Sequence, residues 1–587
     1  MGSFVHPSIG FAMAAALAWV LPVRIGRWLP IAAAAAAIAG VLSMQPGSHV
    51  AVSYLGLILG MGRVDALAVV FAHVFAIQAL IGFVYAFHIE DRWQHVAAST
   101  YITGAFGCVF AADFVTLFIF WEMMSVASTF LIWLNRAPAS TKAGIRYFLF
   151  HVFGGLLLLA GLLLRHQATG TFAFEAIDPT SARYYDILIM LGFCVNAAVI
   201  PLHAWLPDAY PEATVTGAVF MSAFTTKTAV YVLLRSFSGF EILGIMGTLM
   251  TIYGVVYATI ENNARRILAY HIVSQVGYMV AGVGVGTAMT VNGACAHAYA
   301  HILYKGLLFM GAGTLLYAAG TAKLSSLGGL FRRMPWAFFW YMIAAVSISG
   351  FPLFSGFVSK TMTITGAAEA HHPWLAIGME FAAVGTFLSV GIKLPYFAWF
   401  SKPDCGIELK PVPMNMYVAM GAAGILCFLI GVYPDFLYRL LPNPVEYTPY
   451  TAWHVLQSLL LLGFTGLGFY ILRYKLTPEA KINLDFDYVY RLIGRIVMAA
   501  ARIIGDRIDF WWSEFYARVG LRGFLAIASG SSWFDKKAID GVVDGTALGV
   551  RAIGEKATRV QTGKIQDYLA SAMVLGMIVA VGVWLLM

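Results

Sequence analysis

The sequence predicts an all-α polytopic membrane protein with about 16 transmembrane helices, and three observations predict it. Hydrophobic residues fill 60% of the 587 positions and charged residues only 11%, against about 25% charged in soluble domains. Mean hydropathy is +0.78. Apolar runs of about 20 residues, the length that crosses a hydrocarbon core, recur between polar breaks. So few charges cannot cover a soluble domain, and so much apolar content excludes disorder. Five cysteines (Cys108, Cys194, Cys295, Cys405 and Cys427) stand singly, with no CxxC pair to build an iron–sulfur or zinc framework.

The runs lie near 6–22, 28–44, 64–87, 95–112, 114–134, 145–164, 185–206, 214–234, 242–260, 268–287, 293–318, 336–366, 377–400, 415–434, 452–472 and 567–587. The first lacks a basic leader and a persuasive cleavage site, so it reads as a retained span and not a signal peptide. With the N-terminus outside and the spans alternating, 13 Lys and Arg fall in inside loops and 5 in outside loops. Another 15 lie in the inside segment 473–564. The positive-inside rule then places both termini on the outer side of the cell's inner membrane. It also accounts for the pI near 9.1 without a nucleic acid partner.

The other four lysines, Lys227, Lys305, Lys360 and Lys393, fall within spans. Lys393 lies nearest a helix end, where a lysine can snorkel to the interface. Charge at mid-membrane costs at least about 2.5 kcal/mol and marks a hydrated interior. Glu122 is the clearest intramembrane acid, Glu380 lies about one turn inside its span, and Asp65 and Asp113 sit near outer ends. His297, His301 and Lys305 recur at intervals of four, on one helical face. Imidazoles that titrate near neutrality beside an amine suit a proton relay. A purely structural file of histidines is the blander reading. Metal binding by the two histidines fits less well, because a lysine adjoins them and no carboxylate does.

Two spans are broken by proline, the seventh at Pro201 and Pro207 and the twelfth at Gly350, Pro352 and Gly356. Proline removes a helix bond, and membranes tolerate such breaks where protein or a wet cavity satisfies the freed groups. Breaks five spans apart match two five-helix repeats, and an odd repeat inverts its second copy, a transporter signature.

The strings VDALAVVF, LFIFWEMMS, PLHAWLPDAYPEATVTGAVF, TTKTAVYVLLR, RRILAYHIVSQVGYM, HAYAHILYKGLLFMGAG and GFPLFSGFVSK run in order across about 60–400. With them the chain resembles the antiporter-like subunits of Mrp-type Na+/H+ antiporters and respiratory complex I, its core most like the Mrp D-type subunit. The resemblance implies 14 core helices, inverted repeats at helices 4–8 and 9–13, and a hydrophilic axis along mid-membrane. It also implies roles: Glu122 as the fifth-helix glutamate, Lys227 as the eighth-helix lysine and Lys305 as the central eleventh-helix lysine. Lys360 matches the terminal twelfth-helix lysine, and His297 and His301 match the relay histidines. One departure is Asn196, which stands where the family usually has a seventh-helix lysine beside the glutamate. A Glu122–Lys227 pair would replace it; an impaired first half-channel is the alternative.

The second departure is length: past the fourteenth span come a fifteenth, roughly 90 intervening residues and a sixteenth. The string SSWFDKKAIDGVVDGTALGVRAIGEKATRVQTGKIQDYLASAMVLGM resembles the carboxy-terminal part of complex I's distal antiporter-like subunit, which implies a lateral helix along the membrane surface and a terminal anchor. Between Asp485 and Lys564, apolar residues alternate with Arg, Lys and Asp as an interfacial helix requires. Gly530–Ser532 is the expected break in it, and Phe510, Trp511, Trp512, Phe515 and Tyr516 suit a headgroup or partner contact. The expected organisation is 1–94 (helices 1–3), 95–400 (translocating core), 401–473 (helices 14–15), 474–566 (lateral segment) and 567–587 (anchor).

The function expected is proton, or Na+/H+, translocation through Glu122, Lys227, His297, His301, Lys305 and Lys360. Asp65, Asp113, Asn196, Glu380 and Lys393 are accessory candidates. Partners would be other membrane subunits, contacted partly by 474–566. No cofactor or metal is expected, since no dinucleotide GxGxxG fingerprint follows a strand; in an NADH–quinone assembly the redox work would belong to other chains. The rival readings are a subunit of an inorganic-carbon uptake complex, a structural subunit with a dead half-channel, and an independent carrier, which has no need of a lateral brace.

Overall fold

The computed structural model describes residues 4–54, 56–402, 405–480 and 483–587. Lys481, one of the basic residues of the lateral segment, lies outside them. Apolar runs become helices as expected: α1 (Pro7–Val20), α2 (Leu29–Ser43), α3 (Ala66–Tyr85), α4 (Arg92–Phe110), α5 (Phe114–Trp133) and α6 (Pro138–Thr169). The seventh and eighth runs are each split, into α7a (Tyr184–Asn196) and α7b (Trp205–Ala209), then α8a (Val215–Ala223) and α8b (Thr225–Ser236). The chain continues through α9 (Glu241–Ile260), α10 (Ala264–Val285), α11 (Ala288–Ala319), α12a (Pro335–Ser349) and α12b (Ser355–Glu369). It ends its first unit with α13 (Pro373–Thr386), α14 (Met414–Val432) and α15 (Ala452–Leu472).

Twelve helical stretches among the described residues are long and apolar enough to cross a membrane. The remaining four of the 16 runs coincide with α1, α7a and α12a, which are shorter, and with α4, whose first turn is the polar Arg92–Trp93–Gln94–His95. Local chemistry sets the ends. Proline occupies the first turn of α1, α6, α12a and α13, where its missing N–H costs nothing. Asp65 and Asp113 are N-caps that accept from the amides of Ala68 and Thr116.

The inverted repeat is visible in paired irregularities. The α7 and α12 breaks each hold a left-handed non-glycine residue, Ala198 (φ 56) and Leu353 (φ 75), a conformation such residues rarely adopt. The eighth run bends at Phe224, and after α13 the thirteenth continues as a π-helix over Phe387–Lys393. The helices preceding these breaks, α6 and α11, are both 32 residues long, about 48 Å at 1.5 Å per residue. Both exceed the 145–164 and 293–318 runs, because polar residues extend each helix past the apolar part. α8, α10 and α11 are buried nearly all round, so their polar side chains face protein and not lipid.

Short antiparallel strands were not expected. β1 (Gly47–Ser48) pairs with β4 (Arg63–Val64), and β2 (Ala51–Tyr54) with β3 (Leu57–Gly60). They fold the long α2–α3 connection, and the Gly60 amide donates to Asp113 at 2.6 Å.

The second unit, residues 488–587, contains the rest of α16 (Asp487–Phe515), then α17 (Arg522–Phe534), α18 (Asp540–Thr558) and α19 (Ile565–Leu586). Two π-helical turns, Tyr516–Leu521 and Asp535–Ile539, join the first three without interruption. Gly530–Ser532 therefore does not break the segment but lies inside α17, since glycine only lowers helix propensity where no turn is forced. The stretch 487–558 has a contour of about 110 Å at about 1.5 Å per residue.

Candidate functional site

Three of the four in-span lysines end on backbone carbonyls, two at helix breaks and one at a helix C-terminus. Lys360 Nζ donates to Ile348 O at 2.6 Å. The usual donor to that carbonyl would be residue 352, a proline without an N–H. Lys227 Nζ donates to Ser222 O at 2.5 Å, in the last turn before the Phe224 bend, and to Thr226 Oγ1 at 3.0 Å. Lys393 does not snorkel. It is 2% exposed and donates to Thr259 O at 2.5 Å and Glu261 O at 3.0 Å. The π-helix swings it inward, onto carbonyls at the C-terminal end of α9, where cations are favoured.

Lys305 is different. It sits in the unbroken α11, fully buried, and its Nζ has no hydrogen-bond partner among the described residues. The centre of the Phe309 ring lies 6.0 Å from it. One turn back, both ring nitrogens of His301 are also buried and unpartnered. Its ring lies 6.2 Å from that of His297 and 5.3 Å from that of Tyr304. His297 Nδ1 is 3.0 Å from Ser359 Oγ and its Nε2 is 3.4 Å from Tyr304 OH, which donates to Gln275 Oε1 at 3.3 Å. Lys360, next to Ser359 in the chain, has its Nζ 5.0 Å from the centre of the Tyr278 ring, and that ring is 5.5 Å from His297. Lys360, His297, His301 and Lys305 thus lie in one row, as the sequence spacing indicated for the last three, with contacts from Lys360 through Tyr278 and His297 to His301 and with Lys305 one helical turn beyond.

The first repeat differs from expectation. No ion pair joins Glu122 to Lys227: the lysine is occupied by Ser222 and Thr226, and Glu122 Oε1 is buried without a partner among the described residues. The bend at Phe224 explains this, because it presents a carbonyl within reach of the amine. Glu122 instead rests on α6. A Cβ on Gly155 would lie 2.1 Å from its Oε1, so the glycine is the notch that admits the carboxylate. Beyond it opens an apolar groove of about 680 Å³ lined by Trp93, Val96, Val126 and Phe130. Asn196 ends α7a, fully buried with both amide atoms unpartnered among the described residues.

Several buried polar groups escaped the sequence reading. His151 is 13 residues past Pro138 in α6, as His301 is past Ala288 in α11. It stacks on Tyr147 at 4.0 Å and its Nε2 has no partner among the described residues. His271 in α10 approaches Ser389 Oγ at 2.6 Å through Nε2. Gln78 in α3 packs over Gly306, the residue after Lys305, with both amide atoms unpartnered among the described residues. The signal was available, since each is a polar residue in mid-run, but none has the four-residue spacing that drew attention to α11.

The accessory acids have structural partners. Asp65 receives two bonds from Arg235, at 2.7 and 2.8 Å, and Asp113 accepts from Thr116 Oγ1 at 2.7 Å. Glu380 accepts from Gln457 Nε2 at 3.1 Å. A further acid, Asp485 in the connection after α15, accepts from the hydroxyls of Tyr253 and Tyr270, with His203 Nε2 3.3 Å away. Burial pushes its carboxyl up, but His203 and the two hydroxyls outweigh that and hold it at about 2.

Residues 111–388 match the family model described as NADH:quinone oxidoreductase/Mrp antiporter, TM. The chain is similar to the A subunit of the Na(+)/H(+) antiporter of Alkalihalophilus pseudofirmus, 26% identical over 570 residues, covering 88% of this chain and 66% of that one. The D subunit of the same antiporter is 31% identical over 283 residues, 45% of this chain and 57% of that protein. Among solved structures, a chain of the Mrp complex from Dietzia sp. DQ12-45-1b superposes with a TM-score of 0.74 at 24% identity, covering 89% of this chain and 62% of that one. The chain therefore spans about two thirds or less of the length of these relatives. It is similar to membrane antiporter subunits, and the larger of the two bacterial relatives aligns with more of it than the smaller one does.

Proposed function

We propose, from the premise that residues 111–388 are a transmembrane domain of the NADH:quinone oxidoreductase/Mrp antiporter family, that this chain is the proton-translocating antiporter-like subunit of a larger membrane complex. The proton chemistry needs only the chain's own side chains and water between them, whether or not sodium is exchanged by the same path. The observation that carries the reading is Lys305, a fully buried amine with no acceptor among the described residues, in an unbroken helix between polar files. A charged amine there must be met by water or an anion, and a neutral amine need not be. Each protonation therefore changes what Lys305 requires of its surroundings, which is the property of a switch. Lys360, His297 and His301 supply protons from one side through Ser359 and Tyr304. Lys227 and Glu122 are the corresponding groups of the first repeat. Every step is proton transfer, without covalent intermediates, and any redox reaction that drives it belongs to other subunits.

Residues 474–566 would contact those subunits: no residue of α16–α18 is buried, and an amphipathic helix of that length needs a membrane surface or a partner to cover it. The positive-inside count favours an inner-membrane orientation with both termini outside. A second reading, a poorly conducting first half, is favoured by the absence of partners on Glu122 Oε1 and Asn196 among the described residues. Reconstituted vesicles separate the two. Lys305→Ala should abolish proton flux in either case, and undiminished flux would overturn the reading. Glu122→Gln should also lower flux at least tenfold, whereas unchanged flux would select the second reading.

A further inference from the structure

We infer that Glu380 is the proton-exchanging mouth of the second half-channel, reached from one membrane face through a vestibule walled by α15. The inference rests on the translocation proposed above. It adds a carboxylate and a helix that lies beyond the matched domain.

Two adjoining cavities carry it. The larger, of about 540 Å³, is lined on its polar side by Thr361, Thr365, Glu380, His454, Gln457 and Ser458. The smaller, of about 30 Å³, has Lys360 and Gly350 in its wall and holds about one water. Thr361, Glu380 and Ser458 line both. The carboxylate therefore stands at the junction, with open space on one side and a one-water gap to Lys360 on the other. Past Lys360 the contacts through Tyr278 and Ser359 to His297 lead to the centre of the bundle.

The chemistry of the lining argues for water in the larger cavity. An acid within a span is tolerated where it faces a wet cavity or a partner, and the hydrogen-bond partner of Glu380 is a neutral amide, Gln457. The rim is polar as well: His454 has Nε2 3.5 Å from Thr365 Oγ1 and Nδ1 3.5 Å from Tyr447 OH. Ala368, Ala376 and Trp453 place this rim near the end of α12b and the starts of α13 and α15. That is the end joined by connections 370–372 and 433–451, which the charge count assigns to the outside. A proton leaving Lys360 passes through the intervening water to a Glu380 oxygen, and from there to water in the vestibule; the reverse order loads Lys360.

The test uses the full chain in its native complex. Cys405 is replaced by serine and Ser458 by cysteine, and a membrane-impermeant thiosulfonate is applied to right-side-out and inverted vesicles. Labelling at least tenfold faster from the outside is expected. No labelling from either side would mean a dry or lipid-filled groove, and faster labelling from the inside would mean the wrong face; either overturns the inference. In parallel, Glu380→Gln should lower proton flux at least tenfold, and Glu380→Asp, which keeps the acid, should retain more of it than Gln does. Full flux in Glu380→Gln with none in Lys305→Ala overturns the vestibule and leaves the translocation reading intact. Full flux in Lys305→Ala removes the translocation reading itself.

Discussion

Gly155→Ala isolates the placement of Glu122 from its chemistry. The added Cβ would lie 2.1 Å from Oε1 and 2.9 Å from the carboxyl carbon, whereas unstrained contacts begin at about 3.5 Å. The carboxylate must retreat by about 1.4 Å on that geometry, and the apolar groove lined by Val126 and Phe130 is the space open to it. A displacement of about 1 Å from working geometry costs up to about 100-fold in rate, so proton flux should fall between tenfold and 100-fold. Stability should move the other way. Alanine is favoured over glycine by about 1 kcal/mol in a helix interior, and Gly155 is well inside α6. Flux in vesicles, read beside the thermal unfolding midpoint in detergent, is therefore expected to fall while the midpoint holds or rises. Unchanged flux would refute the claim that this notch positions the acid. A lowered midpoint would show that the carboxylate cannot retreat, which refutes the displacement argument.

Two other perturbations test the supports of the site. Asp65→Ala removes an N-cap and strands Arg235, so it should destabilise by about 3 kcal/mol; this is reduced from the fully buried case because the Asp65 side chain is 34% exposed. The Asp65→Ala/Arg235→Ala double variant should cost at least about 1 kcal/mol less than the sum of the single changes in unfolding measurements, and additivity would disprove the coupling. Asp485, held at about 2 and so below its ordinary value of about 3.9, contributes stability that is fully present above about pH 4 and lost as pH falls towards 2. Asp485→Asn should flatten that acid limb of the unfolding midpoint, and an unchanged limb would show that other carboxylates produce it.

Much of the architecture was legible because lipid imposes a local rule: each crossing needs its own apolar run. The proline breaks at Pro201 and Pro352 were equally local, since a missing N–H is a property of one residue. The row of His297, His301 and Lys305 followed from helical periodicity alone. The misreadings have a common cause. Lys393 looked like a snorkelling residue because it lies near a run's end, but a π-helix turned it onto the α9 carbonyls. Lys227 looked like the partner of Glu122 because it is the other intramembrane charge of its repeat, but the Phe224 bend offered a closer acceptor. Gly530–Ser532 looked like a break, but nothing there forces a turn.

Composition and pattern by themselves determined that this chain lives in a bilayer, where its helices run, which spans break and which polar residues share a face. Tertiary structure decided which of those polar groups find partners. Carbonyls freed at the helix breaks satisfy Lys227 and Lys360, and the C-terminal carbonyls of α9 satisfy Lys393, while Lys305, His301 and one oxygen of Glu122 remain without hydrogen bonds among the described residues. The reason is one of range: helix formation and insertion depend on neighbours within a few residues, but satisfying a buried charge depends on groups brought together from distant parts of the chain.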